Sequence, residues 1–167
     1  MSESGNITDN ASIIEKLRAI TPLKFIKQED IRGLLKSSRM IRYESGEVIF
    51  KEGEYGDWIY FLITGRIGIK KQGELISELK RTGDLFGEMG IIDNSPRSAS
   101  IEAIDETVCL AIDASYAQRL SGYEKTAFNA ILYRIFAEVL AERLRLMDEE
   151  MVKIKAENTN LREKLDL

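Results

Sequence analysis

The chain has 167 residues, 44% of them hydrophobic, and a formal net charge of −4. This length allows one domain with its own core and an appended element, and the acidic balance argues against DNA binding by this chain alone. Because the sequence contains no histidine, the usual catalytic triads and most zinc and iron sites are excluded, and we expect neither an enzyme nor a metal site. No apolar run is long enough to span a bilayer and no signal-peptide pattern opens the chain, so we expect a cytoplasmic location.

Residues 1–39 are predicted to form an N-terminal segment with short helices. The first ten residues or so are polar and are expected to lack regular structure. Residues 11–20 have the pattern of a short amphipathic helix, and a second short helix is predicted at residues 28–35. We expect the apolar side chains of this second helix to cover the open end of a β structure.

From residue 40 the pattern changes to short alternating or apolar runs that are separated by turns rich in glycine. The runs predicted as strands are residues 40–43, 48–50, 58–63, 67–70, 75–79, 98–104 and 108–112. Seven or eight strands in this arrangement predict a sandwich or a roll. Trp58 and Phe61 are expected in its core, and Cys109 is expected to be a buried, unreactive thiol.

Residues 86–100 carry the most informative chemistry in the sequence. Gly87 precedes a short apolar helical turn, whose first backbone N–H groups favour an anion. The planar guanidinium of Arg97 suits a phosphate, and the carboxylate of Glu88 accepts from a sugar hydroxyl. Either residue alone is commonly a solvated side chain or a partner in a surface ion pair. Together, at this spacing, they indicate a site for a phosphorylated ribose.

This segment closely resembles the phosphate-binding cassette of cyclic nucleotide-binding domains, the β-roll family of the catabolite activator protein and the protein kinase A regulatory subunits. The resemblance covers roughly residues 22–145, including the strand and turn segments at residues 44–53 and 57–65. It implies an α+β fold with an antiparallel β-roll, of the double-stranded β-helix or jelly-roll type, at residues 40–113. It also implies that Arg97 pairs with the cyclic phosphate and that Glu88 binds the ribose 2′-hydroxyl. The remaining ligand-binding residues that it implies are Gly87, Met89, Ser98 and Ala99. The expected ligand is cAMP, with cGMP as the alternative.

From about residue 124 to residue 164 the chain has neither proline nor glycine, and its apolar residues follow a seven-residue repeat. The core positions of this repeat are Leu140, Leu144, Met147, Met151, Ile154, Asn158, Leu161 and Leu165. Asn158 favours two identical helices that run parallel and in register. The flanking charges agree, because a parallel pair joins Arg143 with Asp148, Glu150 with Lys155, and Glu157 with Arg162. We therefore predict a parallel homodimeric coiled coil within residues 114–167. A solvated single helix or a packing face for another protein is the alternative.

The resemblance also implies that this helix contacts the base. Met147 and Asp148 stand where the catabolite activator has the threonine and serine that reach adenine, so the preference between cAMP and cGMP stays open. We expect a sensor that acts as a homodimer on an unidentified protein partner. Two alternatives are a DNA-linked transcription regulator of the catabolite activator type that lacks its own helix-turn-helix, and an oligomerisation scaffold that binds no ligand.

Overall fold

The computed structural model describes residues 2–4, residue 27 and residues 33–165. Residues 33–36 are helical, and a 3₁₀-helix spans Ala114–Arg119. Two further helices are α1 (Met89–Ile92) and α2 (Gly122–Lys164). The strands are β1 (Ser2–Ser4), β2 (Ser38–Tyr43), β3 (Val48–Phe50), β4 (Trp58–Thr64), β5 (Ile67–Lys71), β6 (Glu74–Leu79), β7 (Leu85–Phe86), β8 (Ser100–Ala103) and β9 (Thr107–Asp113).

The strands form two antiparallel sheets that face each other. One sheet has the order β1-β2-β9-β4-β7, and the other has the order β3-β8-β5-β6. Strands β4 and β9 lie inside the first sheet and are apolar on both faces, because each face packs against a different core. The first core lies between this sheet and the helices, and the second core lies between the two sheets. Ile59 and Phe61 pack towards the helices, whereas Tyr60 and Leu62 pack between the sheets. This confirms the predicted α+β fold with an antiparallel β-roll.

The predicted strands are present with ends that differ by a few residues, and two further strands were not predicted. Strand β1 pairs with β2 although its residues are polar, so the expectation of no regular structure at residues 1–10 is wrong for residues 2–4. Strand β7 has only two residues, too few to show a period. The helix predicted at residues 11–20 lies outside the described residues, as does most of the one predicted at residues 28–35.

The three residues expected in the core all lie in a core cluster or pack against one. Phe61 and Cys109 are fully buried, and burial raises the pKa of the Cys109 thiol to about 12. Trp58 is only half-buried, and the guanidinium of Arg39 lies 4.3 Å above its ring.

Helix α2 has two parts with different surroundings. Its N-terminal part packs on the first core through Phe128, Leu132, Ile135, Phe136 and Val139. From residue 144 to residue 165 every residue is exposed, so this part extends roughly 30 Å from its own domain at about 1.5 Å per residue. In the parts of the chain that the structure describes, no helix has the length and apolar character needed to cross a bilayer.

Candidate functional site

One pocket of about 120 Å³ brings together the residues that the sequence singled out. It lies between strands β3, β5, β7 and β8, helix α1 and one residue of helix α2. Its lining residues are Phe50, Ile69, Phe86, Gly87, Glu88, Met89, Gly90, Arg97, Ser98, Ala99, Ile101 and Arg143. All six predicted cassette residues are therefore present in it. The two predicted base contacts, Met147 and Asp148, are not among the lining residues.

Arg97 is held by the backbone of two strands. Its Nη2 donates to the carbonyl oxygen of Trp58 at 2.7 Å, at the start of β4, and its Nη1 donates to the carbonyl oxygen of Gly87, directly after β7. Its own backbone pairs with the turn between β3 and β4, through the amide of Gly53 and the carbonyl oxygen of Glu54, both at 2.8 Å. These contacts leave Arg97 only 6% exposed.

In the described part of the chain, the charge of Arg97 has no direct counter-ion. Among the described residues, no carboxylate oxygen lies within 4.0 Å of its guanidinium. Burial lowers the pKa of Arg97, and the electrostatic influence of Tyr60 and then Glu88 opposes this shift. Since an arginine side chain keeps its proton in proteins, the pocket holds a desolvated cation. Such a group is stabilised by an anion that enters the pocket.

Glu88 is the second buried charge, with 2% exposure, and it contacts helix α2. Its Oε1 accepts from Nη1 of Arg143 at 2.6 Å. Nη2 of Arg143 donates to the carbonyl oxygen of Leu85 in β7. One guanidinium therefore joins the long helix to the pocket wall.

This role of Arg143 was not predicted from the sequence, because its heptad position indicated a partner across the coiled coil. In the structure its terminal nitrogens are bound to Glu88 and Leu85 of the same chain. The expected pair with Asp148 of a second chain stays a prediction. One feature of the helix sequence could have indicated that Arg143 faces its own domain. Arg143 follows Val139, the last buried residue of the helix, by four positions and therefore lies on the same helix face.

Two glycines make room for the Arg97 side chain. Gly87 has a φ of +84°, and a Cβ there would lie 2.9 Å from Nη1 of Arg97. A side chain at this position would therefore displace the arginine. Gly56 lies in the turn between β3 and β4. Its φ is ordinary, and a Cβ there would lie 3.2 Å from Nη2 of Arg97.

Helix α1 begins directly after Glu88, which occupies the N-cap position but makes no capping hydrogen bond with its side chain. Its carboxylate is therefore free to face Arg143 and the pocket. The exposed hydroxyl of Ser98 lies 3.9 Å from Sδ of Met89 across the pocket mouth. In the described parts of the chain, no group of three or more Cys, Asp and Glu side chains is placed to hold a metal ion.

Met147 and Asp148 are exposed on helix α2. Met147 follows Arg143 by four residues, so it lies one turn farther along the same face, about 6 Å from it along the helix axis. Their predicted contact with a base stays a prediction.

Comparison with known proteins identifies the family. A family model for the cyclic nucleotide-binding domain matches residues 40–122, roughly half of the chain. The cGMP-dependent protein kinase of Toxoplasma gondii is 28% identical over 151 residues, which is 90% of this chain and 14% of the kinase. The cAMP-dependent protein kinase regulatory subunit of Debaryomyces hansenii is 35% identical over 80 residues, which is 48% of this chain and 18% of the subunit.

The chain spans less than a fifth of the length of either curated relative. Among solved structures, a cyclic nucleotide-binding domain from Methylobacillus flagellatus has the same fold. Its TM-score is 0.72 at 21% identity, and the match covers 91% of this chain and 88% of that one. The β-roll, the pocket around Arg97 and Glu88, and the match over residues 40–122 lead to one conclusion: the chain belongs to the cyclic nucleotide-binding domain family.

Proposed function

We propose that this chain binds a cyclic purine mononucleotide as a regulatory sensor and does not cleave it. The observation that carries this proposal is that Arg97, which is buried and has no carboxylate partner among the described residues, lines the same pocket as Glu88. A cyclic phosphate neutralises the guanidinium, and a ribose hydroxyl donates to the carboxylate. Relatives named as cAMP-dependent and cGMP-dependent support this class of ligand. We take cAMP as the ligand and cGMP as the alternative, with Met147 and Asp148 nearest to the base.

We propose that the nucleotide acts on the long helix through Glu88. The bound ribose and Arg143 of α2 share this carboxylate, because Arg143 already donates to it at 2.6 Å. A ligand shifts an equilibrium only by binding one arrangement more tightly than the other. Nucleotide binding therefore changes the angle or order of α2, and a downstream protein partner recognises this change.

The proposed working unit is a parallel homodimer formed by helix α2. Support comes from the exposed apolar core positions of its heptads, such as Leu144, at 60% exposure, and Ile154, at 54%. The pairs Glu150–Lys155 and Glu157–Arg162 still match in charge, so the dimer contact begins beyond Arg143. In sedimentation equilibrium we expect twice the chain mass of 19.0 kDa, and a monomer over the whole micromolar range would contradict this assembly.

Thermal melting tests the ligand proposal. A nucleotide that binds the folded state at about 100 times its Kd adds about 2.7 kcal/mol, which raises the midpoint of a domain of this size by roughly 5–10 °C. We expect this rise with millimolar cAMP or cGMP and not with 5′-AMP, which has an acyclic phosphate. No rise with either cyclic nucleotide contradicts the proposal and favours an oligomerisation scaffold without ligand. Salt-sensitive binding of random duplex DNA in a gel shift favours a transcription regulator instead.

A further inference from the structure

The guanidinium of Arg97 lies over the ring of Phe50. Phe50 is the last residue of β3, and its ring centroid lies 4.3 Å from Cζ of Arg97. Behind it lie the rings of Tyr60, at 5.8 Å, and Phe86, at 6.2 Å. These two rings are themselves stacked, 5.1 Å apart and 9° from parallel. Phe50 is thus held in place by an aromatic cluster that continues into the core.

The hydrogen bonds of Arg97 do not by themselves fix the tilt of its guanidinium. They bind two terminal nitrogens to the carbonyl oxygens of Gly87 and Trp58, and the plane can still rotate about the line between these nitrogens. An aromatic ring 4.3 Å from the guanidinium carbon restricts this rotation and adds a cation–π attraction. An anion then reaches the guanidinium at its N–H edge, where two parallel hydrogen bonds to phosphate oxygens form.

We propose that Phe50 is a positioning residue for anion binding, which acts through Arg97 by fixing the plane of its guanidinium. This inference rests on the proposed function, since the anion is the phosphate of the cyclic nucleotide. It assigns a binding role to a strand residue that the cassette motif at residues 86–100 does not include.

Calorimetric titration with cAMP and with cGMP tests this role in four proteins: the wild type, Phe50→Leu, Phe50→Tyr and Tyr116→Leu. Leucine removes the aromatic face, and we expect Kd to rise roughly 5- to 30-fold, the range of a desolvated cation–π contact. Tyrosine keeps the face, so Kd stays within about twofold of the wild-type value. Tyr116 is the matched control, because Cζ of Arg119 lies over its ring, 5.0 Å from the centroid, and neither residue lines the pocket. Its loss leaves Kd within about twofold in the folded protein.

Nuclear magnetic resonance of the wild type without nucleotide provides a readout that does not depend on the variants. We expect the Nε–H signal of Arg97 to be shielded by the Phe50 ring, and this shielding to persist in Phe50→Tyr and disappear in Phe50→Leu. An unshielded Arg97 signal in the wild type overturns the inference. So does nucleotide binding by Phe50→Leu at wild-type affinity, or an equal loss in Phe50→Tyr. Absence of nucleotide binding by the wild type instead refutes the proposed function.

Discussion

Replacing Arg143 with leucine tests the ion pair that joins helix α2 to the pocket. The side chain of Glu88 is 2% exposed and that of Arg143 is 35% exposed, with 2.6 Å between Oε1 and Nη1. Loss of one partner from a fully buried pair costs about 3–5 kcal/mol, and an exposed pair contributes about 0–1 kcal/mol. Since Arg143 is partly solvated, we expect Arg143→Leu to lower the free energy of unfolding by about 1–3 kcal/mol.

Urea denaturation followed by far-ultraviolet circular dichroism measures this loss. All proteins are compared at one concentration and without nucleotide, because both dimer formation and ligand change the apparent stability. Arg134→Leu is the matched control on the same helix. Arg134 pairs with Glu138 at 3.0 Å, with side chains that are 56% and 32% exposed, and its loss should cost less than about 0.5 kcal/mol. An equal loss in the free energy of unfolding in the two variants would refute the view that Arg143 neutralises the buried carboxylate of Glu88.

Three further outcomes follow from the same contacts. Gly87 and Gly73 both have a φ of +84°, but of these two only Gly87 would place a new Cβ against an arginine nitrogen, at 2.9 Å. In urea denaturation, Gly87→Ala and Gly73→Ala should each lower the free energy of unfolding by about 1–2 kcal/mol of backbone strain. In calorimetry, only Gly87→Ala should lose nucleotide affinity. Asn158→Leu should keep its helicity but populate other oligomers in sedimentation, whereas Asn160→Leu, on the outer face of the helix, should remain a dimer. Burial raises the pKa of Cys109 from 9.0 to about 12, so the folded state holds a proton that the unfolded chain loses in this range. Its contribution to stability is complete below pH 9 and is lost as pH rises towards 12; Cys109→Ala should therefore show a shallower fall in the free energy of unfolding over this range.

The fold was predictable where the pattern of apolar residues in the sequence indicates which residues are buried. Strands β4 and β9 are apolar runs bounded by turns, and their burial on both faces explains why they do not alternate. The short strands β1 and β7 were not predictable in this way. Their pairing depends on partners distant in sequence, β2 and β4, and neither is long enough to show a period of two.

The site was predictable to the extent that it is local in sequence. Glu88 and Arg97 lie within one cassette, and both line the pocket. Arg143 and Phe50 line the same pocket but are distant in sequence. Arg143 lies 55 residues after Glu88, and Phe50 lies 47 residues before Arg97. Heptad position and strand pattern describe the element on which each of these residues lies, but they carry no information on the residue that it meets in the folded chain.

Calorimetric titration of the wild type and of Arg97→Ala with cAMP and cGMP tests the central claim most directly. We predict saturable binding of one nucleotide per chain in the wild type. In Arg97→Ala the affinity should fall at least about 100-fold, because two charge-assisted hydrogen bonds of about 1.5–3 kcal/mol each are lost. Circular dichroism and sedimentation should find the same helicity and the same dimer in both proteins. A wild type that binds neither nucleotide, or a variant that binds as tightly as the wild type, would contradict the claim that Arg97 holds a cyclic phosphate.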